Sequence, residues 1–93
     1  MDRSEILNAA EQAITVDRAA THGDAARNLE ALAMMRAALD HARGDRPKAP
    51  CDEGIYMIGF KAVRASANPL HADNFVDAAG WSAVAGEIAG SAS

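Results

Sequence analysis

The sequence is poor in cysteine and in aromatic residues. Cys51 is the single cysteine among 93 residues, which excludes an intrachain disulfide and a zinc site built on several thiolates. One tryptophan, one tyrosine and two phenylalanines are present, and they are not interleaved with basic residues as in proteins that stack single-stranded nucleic acid. Such sparing use of cysteine is typical of the reducing cytoplasm.

Long apolar runs and an excess of basic residues are also missing. No apolar run approaches the roughly 20 residues of a membrane span, and the start, MDRSEILNAAEQ, lacks the basic-then-apolar order of a signal peptide. The formal net charge is -4, which argues against the clustered lysines and arginines that bind nucleic acid or anionic membranes. We therefore expect a soluble cytoplasmic protein without membrane contact or direct nucleic-acid binding.

Hydrophobic residues recur at helical spacing, and almost no strand pattern is present. One domain over residues 1–93 is predicted, with helices at about 3–19, 24–42, 52–66 and 72–89. Asp52 is the predicted N-cap of the third helix, and the longest loop, RGDRPKAP, precedes it. The sequence therefore predicts an all-α fold, an antiparallel four-helix bundle.

The predicted core is thin, because many of the hydrophobic residues are alanines. A chain of this length buries only roughly 60–65% of its unfolded surface, so we expect a homodimer or a larger homo-oligomer. Gly54 and Gly59 interrupt the third helix at roughly 1 kcal/mol each relative to alanine. They indicate that another helix approaches closely at these positions.

The fourth predicted helix opens with two carboxylates, Asp73 and Asp77, four residues apart. That spacing places both on one face of a helix, where they can approach one Mg²⁺ ion or its water ligands. The alternative is structural: Asp73 caps the helix or interacts with its dipole, and Asp77 is solvated.

Two cations, Lys61 and Arg64, lie three residues apart on the otherwise apolar third helix. Such cations either extend to solvent or meet an anion. If the third and fourth helices form a hairpin through ANPLH, these cations and the Asp73/Asp77 pair lie near the same end. The alternative is a structural ion pair between the two helices.

The segment HGDAARN opens the second predicted helix. Asp24 and Asn28 stand four residues apart on its first turns, and His22 precedes them. Backbone N–H groups at a helix start can receive phosphate oxygens. The alternative is that Asp24 is the N-cap and His22 a surface residue of the loop.

In order along the chain, THGDAARNLEALA and GFKAVRASANPLHADNFVDAAGWSAV resemble a family of small uncharacterised domains encoded by phages and prophages. The shared pattern is Tyr- or His-Gly-Asp, an Asn four residues later, Lys-x-x-Arg, and Asp-Asn-x-x-Asp before an Ala-Gly-aromatic step. The resemblance covers roughly residues 6–88. That family is distantly similar to the MazG-type all-α nucleotide pyrophosphohydrolases, in which the closing Asp of a Glu-x-x-Asp motif would match Asp77.

The resemblance implies a MazG-like bundle in a bacterial or phage-infected cell. It implies a protein that binds a nucleotide and, as a Mg²⁺-dependent hydrolase, cleaves it between the α- and β-phosphates. The implied metal ligands are Asp73, Asp77 and Asp24; the catalytic residues are Asp77, Asp73 and Lys61; and the substrate-binding residues are His22, Asp24, Asn28, Arg64 and Asn74.

Two alternatives remain. The chain is a non-catalytic phage accessory or interaction protein that retains the helical fold. This alternative is favoured because the second acidic motif of the enzymes, Glu-x-x-Glu on the preceding helix, is missing: Lys61 and Arg64 stand where acids would be expected, and Asn74 stands where the enzymes carry the first glutamate of Glu-x-x-Asp. Otherwise it is a plain structural or interaction domain, in which Asp24, Asp73, Lys61 and Arg64 form a polar network between helices.

Overall fold

The computed structural model describes residues 1–17 and 24–91. Its elements are α1 (Arg3–Gln12), continued by a π-helical segment (Ala13–Asp17), then α2 (Ala25–Arg43), α3 (Pro50–Ala67) and α4 (Asp73–Ser91). No strand occurs within the described ranges. The prediction of an all-α fold is therefore confirmed. The end of the first predicted helix, at residues 18–19, lies outside the described residues.

Short polar side chains and a glycine set the helix ends. Asp2 accepts a hydrogen bond from the N–H of Glu5 at 2.9 Å, and Asp24 accepts one from the N–H of Arg27 at 2.8 Å. Each carboxylate satisfies an N–H group that has no partner within its helix. Gly44 ends α2 with φ 65°, a left-handed conformation that glycine adopts without steric cost.

Helix α3 starts two residues earlier than predicted, so Asp52 is not its N-cap. Pro50 is the first helical residue, a position where the fixed φ of proline fits and its missing N–H costs nothing. Asp52 lies within the first turn and points back, accepting a hydrogen bond from the N–H of Ala49 at 2.7 Å. The carboxylate thus satisfies the N–H of the residue before the helix.

Helices α3 and α4 form an antiparallel hairpin. A Cβ atom placed at Gly54 would stand 2.7 Å from the Cβ of Ala85, and further along, Lys61 pairs with Asp77. The missing side chain at Gly54 therefore lets the two helices approach, as the sequence predicted.

Helix α2 packs on α3 as well, also antiparallel. A Cβ atom at Gly59 would stand 2.5 Å from the Sδ of Met35, and nearer the loop Tyr56 bonds to Asp40. The close approach predicted at Gly59 is therefore also confirmed. Helix α3 lies between α2 and α4, which share no extensive contact with each other.

The first helix contributes little to this packing. Every residue of α1 is exposed, and α1 makes no extensive contact with the other helices described. Among the described residues the buried hydrophobic side chains are Tyr56 and Ala85. A closed four-helix bundle would require α1 to pack on the α2–α3–α4 layer, so the antiparallel four-helix bundle stays a prediction. None of the helices described has the length and apolar character needed to cross a membrane.

Candidate functional site

Two clefts flank the last turns of α3. Cleft A lies between the start of α2 and the end of α3, has a volume of about 490 Å³, and is lined by Asp24, Arg27, Asn28, Ala31, Val63, Ser66 and Ala67. Cleft B lies between α3 and the start of α4, has a volume of about 330 Å³, and is lined by Ile58, Lys61, Ala62, Ala65, Ser66, Asn74, Phe75 and Ala78. Ser66 borders both clefts.

Cleft A contains the predicted pair Asp24 and Asn28. Asp24 is the N-cap of α2, the alternative that the sequence left open, and its carboxylate is held by the N–H of Arg27. The positive end of the α2 dipole and the guanidinium of Arg27 favour an anion here, whereas the Asp24 carboxylate opposes one. The cleft is therefore suited to a ligand with both hydrogen-bond donors and acceptors.

An ion pair joins α3 and α4 beside cleft B. The Nζ of Lys61 lies 3.0 Å from the Oδ2 of Asp77, and the Lys61 side chain is only 13% exposed. This is the structural ion pair that the sequence left open. The structure thus brings two of the three predicted catalytic residues together, and in this chain they neutralise each other. Arg64 lies one turn further along α3, with its guanidinium carbon 4.3 Å from the centroid of the Phe60 ring.

Asn74 is the most deeply buried polar residue of the site. It is 2% exposed, and its Nδ2 has no hydrogen-bond partner among the described residues. A buried donor without a partner costs about 1–3 kcal/mol. Asn74 lies on the wall of cleft B. Packing alone does not explain why a polar amide, rather than an apolar side chain, is buried there.

The predicted metal ligands are not gathered in one place. Asp73 begins α4 with its side chain 81% exposed and its Oδ2 4.0 Å from the Nε2 of His71. Asp24 lies in cleft A, on the other side of α3 from Asp77. No group of three or more His, Cys, Asp or Glu side chains that could hold a metal occurs in residues 1–17 and 24–91. A shared site for Mg²⁺ stays a prediction, and His22 lies outside the described residues.

A second polar cluster, at the opposite end of α3, was not predicted from the sequence. We call it the corner cluster; its members are Arg36, Asp40, Arg43, Arg46, Lys48, Asp52 and Tyr56. Arg46 donates two hydrogen bonds to the buried Asp52, at 2.6 and 3.0 Å. These bonds, together with that from the N–H of Ala49, lower the pKa of Asp52 to about 2.

Tyr56 is at the centre of the corner cluster. Its hydroxyl donates to Asp40 and accepts a hydrogen bond from Arg43 at 2.9 Å. The Tyr56 hydroxyl, and after it Arg43, holds the pKa of Asp40 below its usual value. The Arg36 guanidinium carbon lies 4.6 Å from the ring centroid, and the Lys48 ammonium 5.0 Å. These contacts hold the loop before α3 against α2, so the cluster is a structural clamp.

Residues 5–89 match a family described as a domain of unknown function, DUF6378. The chain belongs to the DUF6378 family. Both clefts and the corner cluster lie within the matched residues, so they are parts of the DUF6378 domain itself. No curated protein and no solved structure matches the chain.

Proposed function

We propose that this DUF6378 protein binds a nucleotide across the end of α3 and, with Mg²⁺, hydrolyses it between the α- and β-phosphates. The observation that supports this is the pair of adjoining clefts, at about 490 and 330 Å³. These volumes fall within the roughly 300–1,000 Å³ of small-molecule sites. Asp24 and Asn28 line one cleft, and Lys61 and Asn74 line the other.

The phosphates are assigned to the start of α4. Lys61 lies there, and the positive end of the α4 dipole favours an anion at this position. The nucleoside is assigned to cleft A, where Asn28 and Arg27 offer polar groups beside an apolar wall formed by Ala31 and Val63.

Two carboxylates are suited to a magnesium ion at this position. Asp73 and Asp77 lie four residues apart on α4, and Mg²⁺ in nucleotide sites is held by one or two carboxylates together with substrate phosphates. The bound ion would neutralise phosphate charge during cleavage. Asp24, on the other side of α3, is assigned to the substrate rather than to this ion.

The Lys61–Asp77 ion pair is consistent with these roles. Without ligand, each charge has the other as its partner at 3.0 Å. On binding, Lys61 would exchange the carboxylate for a phosphate oxygen, and Asp77 would then be free to hold the metal. The largely buried Lys61 ammonium would thereby be paired in both states, which avoids the cost of an unpaired buried charge.

Thermal shift with nucleoside triphosphates, with and without Mg²⁺, tests the binding. A ligand at one hundred times its dissociation constant adds about 2.7 kcal/mol, which for a domain of this size raises Tm by roughly 10–20 °C. Replacing Asp77→Ala should abolish Mg²⁺-dependent pyrophosphate release. Asp45→Asn, an exposed acid of the loop before α3, is the matched control and should leave release unchanged. Unchanged turnover in Asp77→Ala refutes the catalytic proposal.

A non-catalytic role is the second candidate. It is favoured by Asn74 at the position where the pyrophosphohydrolases carry a glutamate, and by the dispersal of Asp24 and Asp73. A nucleotide that shifts Tm without ever being cleaved would support a binding protein. If no nucleotide changes the Tm, the remaining interpretation is a structural or interaction domain that binds no nucleotide.

We also infer that the DUF6378 domain is a divergent MazG-like four-helix bundle of phage or prophage origin, acting in the cytoplasm. The order of HGD, KAVR and DNFVD along the chain supports this. A crystal structure of the assembled protein tests the bundle, because α1 must then pack on the α2–α3–α4 layer of its own chain or of another copy.

A further inference from the structure

The side-chain amide of Asn74 has a nitrogen that nothing in the described chain uses. Asn74 is 2% exposed, and its Nδ2 is the one buried side-chain nitrogen or oxygen without a hydrogen-bond partner in residues 1–17 and 24–91. Nδ2 carries two N–H donors. Buried polar groups are nearly always paired in folded proteins. An exception therefore marks a place where an outside group, such as an ion, can complete the hydrogen bonding.

Cleft B, with Asn74 on its wall, offers hydrogen-bond donors beside an apolar surface. Lys61 lines the cleft with an ammonium, which has three donors and no acceptor. None of the described residues that line cleft B is acidic, whereas Asp24 lines cleft A. The positive end of the α4 dipole lies at the same wall. Cleft B is thus better suited to an anion than cleft A.

Side chains, rather than backbone N–H groups, supply the donors at this wall. The backbone N–H of Asn74 already donates to the carbonyl oxygen of His71 at 3.2 Å. The N–H of Phe75 donates to the carbonyl oxygen of Ala72 at 3.0 Å. The first turn of α4 therefore attracts an anion through its dipole, and the hydrogen bonds to that anion must come from Lys61 and Asn74.

We propose that the Nδ2 of Asn74 and the Nζ of Lys61 bind oxygens of one phosphate group, and that cleft B holds inorganic pyrophosphate without a nucleoside attached. The identification of the anion as a phosphate rests on the proposed function. Cleavage between the α- and β-phosphates releases pyrophosphate. The product therefore competes with the nucleotide for cleft B.

Binding requires a rearrangement of the cleft wall. The Nδ2 of Asn74 is closed to solvent in the free chain. Phe75 follows it in α4, lines the same cleft and is 55% exposed, so few contacts hold its ring in place. An outward movement of this ring opens the wall next to the amide.

Calorimetric titration of the full chain with sodium pyrophosphate, with and without Mg²⁺, tests the proposal in the absence of nucleotide. Asn74→Leu removes the donor and should weaken pyrophosphate binding roughly 100-fold, because hydrogen bonds to charged groups are the strong ones. Asn8→Leu makes the same change at an exposed position of α1 and should leave the affinity unchanged. Equal affinity in wild type and Asn74→Leu overturns the role of Asn74.

Nitrogen-15 NMR of the wild type tests the contact without relying on the folding of a variant. The side-chain amide signals of Asn74 are those missing from the spectrum of Asn74→Leu. They should move during a pyrophosphate titration, because their donor gains an anionic acceptor. Signals that stay in place while pyrophosphate binds overturn the contact.

The outcomes separate this inference from the proposed function. A wild type that hydrolyses nucleotides but binds no pyrophosphate, with or without Mg²⁺, overturns the pyrophosphate site and leaves the proposed function standing. A wild type that binds pyrophosphate through Asn74 but neither binds nor cleaves a nucleotide supports the site and overturns the proposed function.

Discussion

Gly54 and Gly59 offer the same substitution in two different surroundings on one helix. Replacing either by alanine gains about 1 kcal/mol of helix propensity. At Gly54 the new Cβ would stand 2.7 Å from the Cβ of Ala85, with the Cα at 3.5 Å. Carbon atoms pack at about 3.5–4.0 Å, so α3 and α4 must separate by roughly 1 Å. Such overpacking costs about 1–3 kcal/mol.

At Gly59 the nearest atoms are the Sδ, Cγ and Cε of Met35. They belong to a flexible side chain that can adopt another rotamer, so most of the propensity gain should remain. Gly54→Ala should therefore lower the free energy of unfolding by about 1 kcal/mol, and Gly59→Ala should change it little or raise it slightly.

Urea unfolding followed by circular dichroism at 222 nm, at one fixed protein concentration, measures both variants. The two free energies should differ by about 1 kcal/mol or more, equivalent to roughly 4–8 °C in Tm. If Gly54→Ala is as stable as Gly59→Ala, the close packing of α3 on α4 is refuted.

Two further predictions concern buried polar groups. The pKa of Asp52 is lowered from 3.8 to about 2 in the folded chain, so its contribution to stability is complete above the unfolded value and is lost as pH falls through about 2. When urea unfolding is measured at decreasing pH, the free energy of unfolding of Asp52→Asn should therefore fall less steeply below pH 3.8 than that of the wild type. An equally steep fall would contradict the pairing of Asp52 with Arg46. Asn74→Leu removes the unpaired donor at similar volume and should raise the free energy of unfolding by about 1–3 kcal/mol, while abolishing any nucleotide-induced shift in Tm. A destabilised variant would show that the amide is paired after all.

The features of the fold that are determined locally could be predicted from the sequence. Hydrophobic spacing is enough to predict a helical fold, because a helix buries residues that are three and four apart. Asp2 caps α1 through a hydrogen bond from the N–H of Glu5, only three residues further along the chain. The close approach of helices at Gly54 and Gly59 was also predicted, since glycine within a helix is costly unless a neighbour needs the space.

The sequence could not predict features that depend on how the helices are aligned with one another. Arg43 and Tyr56 are 13 residues apart and Lys61 and Asp77 are 16 apart, so each contact forms only once two helices have docked. The spacing of Asp73 and Asp77 placed both on one helical face, but it could not show that Asp77 would meet Lys61. The early start of α3 was missed because Pro50 was interpreted as part of the loop rather than as the first helical residue.

The position of α3 between α2 and α4 has a mechanical consequence. Cleft A is bounded by α2 and α3, and cleft B by α3 and α4, with Ser66 on the wall of each. Because α2 and α4 share no extensive contact, movement at one cleft reaches the other only through α3. A displacement of α3 towards α2 would narrow cleft A and widen cleft B. A nucleotide that spans both clefts must therefore fit them at a single position of α3.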